Sequence, residues 1–353
     1  MEIIKSNNVT IRDIASRLGV STATVSMALS GKGNIGAETR RTVIETAREM
    51  GYETNRFGHA LIMKDITIGI MIPKNPPEIQ QNIKQGILDG CDEHKGLKFR
   101  CLFMEYEYDV ADEERCFQTL YRSCDGIIIE FDSERETPHR QIIRKINQRR
   151  LPVVSIVVEP SQLKATRHVS MDAESVGHMA ADILGLSLQK HDSRDVVLFG
   201  GMRGVDIHQR TVRGFMQACE RYRLNVCEVI YSESVDEEIA PLVSYALKRY
   251  PNVAGMFVCY YLAFQVCHCL KRWRIDQDMV VVGMDVCEPN NACLRDGSLN
   301  VIINQQQRLQ AKTAFYELID MMLNTSSHPK AKKINIPGLI VTEGNLNNYS
   351  NIT

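Results

Sequence analysis

The stretch VTIRDIASRLGVSTATVSMAL, residues 9–29, spells two short helices around a tight turn. Ile11, Ile14, Ala15 and Leu18 recur at i, i+3, i+4 and i+7, which gives the first helix one buried face. Thr10 stands before that face as an N-cap, and Asp13 suits the positive end of the helix. Gly19 breaks the pattern and Ser21 caps a second helix. In that helix Val25, Ala28 and Leu29 can point inward, while Thr22, Ala23, Ser26 and Met27 share the opposite face. The outer surface is slim and uncharged, the shape a helix-turn-helix presents to a DNA major groove. Periodicity alone equally allows two ordinary helices of a small bundle.

Working outward, SGKGNIG (residues 30–36) reads as a loop, and a third helix runs from Ala37 to Met50, stopped by Gly51. Val43, Ala47 and Met50 share one face of it and close a small three-helix core. From residue 66 the pattern changes to buried strands alternating with amphipathic helices. Strand candidates are residues 66–72, 97–103, 125–131 and 152–158, then 196–200, 226–231, 253–258 and 279–284. Repeated βα units imply parallel sheets covered on both faces, and two sets of about four imply two similar lobes. In such sheets ligands sit beyond the carboxyl ends of strands. That rule selects Asn75, Glu159, Arg203, Arg210, Arg213, Tyr260, Tyr261 and Asp285.

Composition sets the limits. At 353 residues, 44% apolar and 24% charged, the chain suits a small head on a two-lobed body. No apolar run approaches the roughly 20 residues that span a bilayer, and MEIIKSNNVT lacks an apolar signal core, so a cytoplasmic protein is expected. Net charge is −1, but the first 65 residues hold nine Lys/Arg against seven Asp/Glu, an asymmetry that suits a DNA-facing head. Eleven scattered cysteines read as reduced thiols. Cys267, His268 and Cys269 are adjacent on a predicted helix and so point apart, and no metal or other cofactor is expected. FGGMRG (residues 199–204) fits neither phosphate-cradling glycine pattern, and no nucleophile and base pair stands out, so an enzyme is not expected.

VTIRDIA, GVSTATVS, ETRRTVIETAREMGY and NR followed by Leu61 together resemble, without a gap, the head of the lactose and galactose repressor (LacI/GalR) family. The resemblance implies an α/β chain with a head over residues 1–54, a hinge helix and linker over 55–65, and a periplasmic-binding-protein-like body over 66–345. It implies lobes of about 66–169 plus 303–326 and 170–302 plus 327–345, with a tail at 346–353. The implied activity is sequence-specific transcription regulation, a repressor being the expected type. The implied partners are a palindromic duplex, a second copy of the chain, and a small polar effector, a sugar or sugar derivative, in the inter-lobe cleft. An exported solute-binding protein of the same body fold is the alternative, disfavoured by the head.

By the same resemblance, base contacts fall on Thr22, Ala23, Met27, Ser30 and Asn34, with Leu61 wedging into the minor groove. Phosphate contacts fall on Thr10, Ser21, Thr24, Ser26, Thr39 and Asn55. Gly283-Met284-Asp285 matches a Gly-x-Asp whose carboxylate accepts from ligand hydroxyls, and Asp172 reads first as a helix cap and second as a ligand contact. Departures are informative too. Met27 replaces an arginine or histidine, and Gly58 an alanine in the hinge. The block at Arg213-Gly214-Phe215 has Thr211 where the family's arginine stands, so either Arg210 takes that role or it is lost. Tyr260 and Tyr261 replace Asn-Asp, either to stack on a sugar or to fill the cleft.

Overall fold

The structure, a computed structural model, describes residues 11–30, 35–50, 66–74, 76–94, 98–107, 109–131, 139–149, 151–158, 167–232, 239–275, 279–323 and 331–350. The expectations on Thr10, Asn34, Asn55, Leu61, Asn75, Glu159 and the hinge segment lie outside the described residues, as does the side chain of Ser30. The chain forms two compact units, a head and a body from Thr67 onward.

The head has three helices, α1 (Ile11–Leu18), α2 (Thr22–Ser30) and α3 (Ala37–Glu49). Gly19 adopts φ +64°, a left-handed conformation that ends α1 without strain only in a residue lacking Cβ. Ser21 Oγ then accepts the Thr24 amide at 3.0 Å, capping α2. Ile14, Val25, Ala28, Val43 and Ala47 are buried together, so the helical periodicity of the sequence becomes the core.

In chain order the body runs β1 (Ile66–Pro73), α4 (Pro77–Glu93), β2 (Phe99–Tyr106), α5 (Val110–Ser123), β3 (Gly126–Glu130), α6 (His139–Arg149), β4 (Val153–Ile156), β5 (Arg167–Met171) and α7 (Ala173–Ser187). It continues β6 (Asp195–Met202), α8 (Asp206–Tyr222), β7 (Asn225–Ser232), α9 (Ala240–Arg249), β8 (Val253–Val258), α10 (Ala263–Trp273), β9 (Val280–Met284) and α11 (Glu288–Arg295). The last elements are β10 (Val301–Asn304), α12 (Gln307–Leu323), β11 (Lys332–Ile336), β12 (Leu339–Val341) and α13 (Glu343–Ser350). One sheet has the order β11-β5-β4-β3-β1-β2 and the other β12-β10-β9-β8-β6-β7. β10 and β12 pair antiparallel, whereas β1, β3, β4, β5 and β11 pair parallel in the first sheet. The strands β3, β4, β8 and β9 are buried along their whole length, as parallel strands under helices must be.

Helices α7 and α8 approach too closely for side chains between them. A Cβ on Gly177 would lie 2.1 Å from the Thr211 carbonyl oxygen, and one on Gly214 2.1 Å from that of Glu174. Phe215 beside it stacks on Phe257 at 5.4 Å. The Gly-Phe step of the α8 motif is thus a packing device for the second lobe.

The chain passes between lobes three times: after β5, after β10, and between β11 and β12. The passages are stitched together, with the Asp172 amide donating to Ile336 O at 2.8 Å and Gln306 Nε2 to Pro337 O at 2.8 Å. Sheet membership differs from the lobe boundaries read off the sequence. The expected second-lobe piece 327–345 splits, because β11 pairs with β5 in the first sheet while β12 joins β10 in the second. β10 belongs to the second sheet through residue 304, and the expected tail begins inside α13, where Leu346 is buried. The reason is the composition of β11: KKINI buries only its last residue, so no apolar run announces it. Among the described residues, no helix is long and apolar enough to cross a membrane.

Candidate nucleic-acid interface and effector cleft

In the head, Thr22, Ala23 and Met27 stand exposed on α2, with Ser26 half-buried beside them. Ser21 and Thr39 are exposed and Thr24 half-buried. The Ser21 and Thr24 hydroxyls lie 2.8 Å apart, so the capping hydroxyl and a second one beside it are offered at the N-terminal end of α2. α2 carries no charged residue. Its outer face can read a groove by shape and apolar contact, for example to a thymine methyl, but cannot fork onto guanine as arginine does.

In the body, a cavity of about 130 Å³ lies between the lobes at the carboxyl ends of the strands. The first lobe contributes Pro73 from β1, Pro76, Ile79, Glu130 and Phe131 from the end of β3, and Val157, Val158 and Met171. The second contributes Met202, Val205, Ile207, His208, Ser232, Tyr260, Tyr261, Asp285 and Gln305, among others.

Asp285 sits at φ 70° and is 2% exposed. Burial pushes its carboxyl up to about 6, against the opposing effect of two glutamine donors. Gln305 Nε2 donates to both its oxygens, at 2.9 and 3.0 Å, and Gln307 Nε2 to Oδ1 at 2.5 Å. Gln305 lies in the passage after β10 and Gln307 opens α12, so the group expected to meet ligand is also bonded to the second crossing between lobes. His208 accepts the Met202 amide on Nδ1 at 3.1 Å, which leaves its proton on Nε2. Burial holds this imidazole neutral, its pKa lowered to about 4. Ser232 and Tyr260 hydroxyls pair at 2.9 Å.

Glu130 is different. It is 9% exposed, its Oε2 has no protein partner, and neither has Oε1 of Gln80, whose side chain bonds to it. Burial pushes the Glu130 carboxyl up to about 8, against the opposing effect of the Gln80 hydrogen bond, so at neutral pH it carries a proton.

Of the residues selected from sequence, Tyr260, Tyr261 and Asp285 line the cavity together. Arg203 does not; its guanidinium lies 4.5 Å over the Tyr231 ring in a neighbouring open groove. Arg210 is not among the lining residues either, Arg213 pairs with Glu174 at 3.2 Å, and Thr211 is buried with its hydroxyl on Ile207 O. Asp172 caps α7 by accepting the Ser175 amide at 3.3 Å. Sequence reasoning missed Glu130, His208, Gln305 and Gln307. The signal for His208 was Gly201: at φ +67°, a Cβ there would sit 2.6 Å from the imidazole.

Comparison with known proteins agrees with both units. The family model described as bacterial regulatory proteins, lacI family, matches residues 10–55, and that of the periplasmic binding protein domain matches residues 68–325. The chain is 26% identical over 286 residues to the HTH-type transcriptional regulator DegA of Bacillus subtilis, covering 78% of this chain and 81% of that one. It is 23% identical over 290 residues to the ribose operon repressor of Halalkalibacterium halodurans, covering 78% and 80%. The solved structure of AraP, an arabinose binding protein from Geobacillus stearothermophilus, superposes with a TM-score of 0.72 at 16% identity, covering 81% and 99%.

Proposed function

The chain belongs to the lacI family of bacterial regulatory proteins, and from that premise we propose that it is a repressor whose grip on an operator is set by a small polar effector, a sugar or sugar derivative, in the inter-lobe cleft. It is a DNA-binding transcription regulator. The carrying observation for the finer reading is that Asp285, on the cavity wall, is bonded to Gln305 and Gln307 of a lobe passage. A ligand that competes for or strengthens those bonds acts on the segment about which the lobes move. Thr22, Ala23 and Met27 are the groups we assign to base edges, and Tyr260, Tyr261 and Asp285 those we assign to the effector. A weak head of three short helices needs doubling, so the working form in this reading is a homodimer on a palindrome, acting in the cytoplasm.

Coupling between the two sites is reciprocal: an effector that changes operator affinity by some factor has its own affinity changed by the same factor. Fluorescence anisotropy on DNA from the chain's own upstream region, with and without a panel of pentoses and hexoses, tests this. Salt-resistant preference for one duplex, shifted by one sugar about tenfold or more, is expected. Equal binding to every duplex, or a monomer at working concentration, would overturn the reading. Replacing Met27 with Arg is expected to bring a guanine into the half-site selected from random DNA.

A further inference from the structure

We propose that Cys91 and Cys101 form a redox pair, which a hydroperoxide converts to a disulfide and a small dithiol restores. Cys91 lies in the last turn of α4 and Cys101 on β2, and their sulfurs are 3.5 Å apart, already in contact. Both are half-buried and so reachable, whereas Cys267 and Cys293 are fully buried. The register of the pair is held on both sides. His94, just past α4, packs edge-on against Phe99 at the start of β2, with ring centroids 6.2 Å apart, and Phe99 packs against Phe315 of α12 at 5.1 Å. A disulfide needs the sulfurs at about 2.05 Å, a closure of roughly 1.5 Å that side-chain rotation can supply without moving that aromatic frame.

The two thiols have different roles. The hydrogen bond from Cys91 lowers the Cys101 pKa, while the same bond, with burial, raises that of Cys91. Cys101 is therefore the attacking thiolate. It displaces alkoxide or hydroxide from the peroxide O–O bond and becomes a sulfenic acid. Cys91 sulfur then attacks that sulfur, the S–S bond forms, and water leaves carrying the sulfenic oxygen, the Cys91 proton and one further proton. Two thiols are oxidised by two electrons as one peroxide is reduced to an alcohol, or water, plus water. The helix so tied at its far end is the one whose first turns place Ile79 on the cleft wall.

The experiment treats the purified full-length chain with a small excess of hydrogen peroxide, counts thiols after denaturation and maps peptides. The expected result is a loss of two of the eleven thiols, a Cys91–Cys101 linked peptide, and full recovery with dithiothreitol. Cys91→Ser should give no linked peptide and a sulfenic acid trapped at Cys101 by dimedone. Linkage through any other pair, over-oxidation of Cys101 without a bridge, or retention of all eleven thiols would overturn the proposal. Should the variant fail to fold, the wild-type peptide map decides alone.

Discussion

The two walls of the cleft treat their buried polar groups in opposite ways. On the second-lobe wall every group considered has a partner: Asp285 has two glutamines, His208 a backbone amide, and Ser232 the Tyr260 hydroxyl. On the first-lobe wall Glu130 keeps an oxygen without one, as does Gln80, whose side chain bonds to it. A satisfied wall is rigid and pre-set, since each bond fixes a rotamer before ligand arrives. An unsatisfied one carries a cost that a proton or a ligand can relieve. The difference assigns geometry to one lobe and adaptability to the other.

The contrast breaks most visibly at Asp285. Asp285→Ala leaves the Gln305 and Gln307 amides without their acceptor, and a loss of about 2–4 kcal/mol of stability is expected by urea denaturation. A loss below about 0.5 kcal/mol would mean that the second-lobe wall is not held by this carboxylate.

Glu130 sharpens it through pH. Its folded pKa of about 8 lies above the ordinary value of 4.5, so the folded state keeps a proton that the unfolded chain has released, and stability falls as pH rises between these values. Asp285 acts with the same sign but only up to about 6, and His208 with the opposite sign, losing stability as pH falls from 6.5 through about 4. Of these three groups only Glu130 titrates between pH 6.5 and 8, so the difference between wild type and a Glu130 variant across that window reports it. Glu130→Gln should gain on the order of 1–2 kcal/mol relative to wild type across it. Parallel pH profiles for the two proteins would refute the protonated state. The smallest effect is expected from Tyr260→Phe, which removes one hydroxyl pair and should cost about 0.5–1.5 kcal/mol in thermal unfolding.

Much of this organisation is legible in the residues. The head is readable because apolar residues recur at helical spacing within each helix, Ile14, Ala15 and Leu18, then Val25, Ala28 and Leu29, then Val43 and Ala47, and Gly19 and Ser21 punctuate them. β1 to β4 and β6 to β9 are readable as apolar runs. β5 (RHVSM) and β11 (KKINI) are not, because polar residues interrupt them and β11 is mostly exposed, and β10 and β12 offer only three apolar residues each. In the cleft, residues just after strands were found by rule, as with Tyr260 and Asp285. Glu130 escaped because it ends its strand rather than following it, and Gln305 and Gln307 because a lobe passage has no periodicity to point at. The arginines were over-read, since a charge near a strand end does not reveal which way its side chain turns: Arg213 goes to Glu174 and Arg203 to Tyr231.

The final passage of the chain supplies an edge to each sheet in turn, β11 for one and β12, after two intervening residues, for the other. Neither lobe is therefore a continuous piece of sequence, and neither sheet is complete until this last passage has been made. A stop codon near residue 330 would strip both halves at once, leaving two unfinished sheets with open flanks, a species suited to aggregation rather than to partial activity.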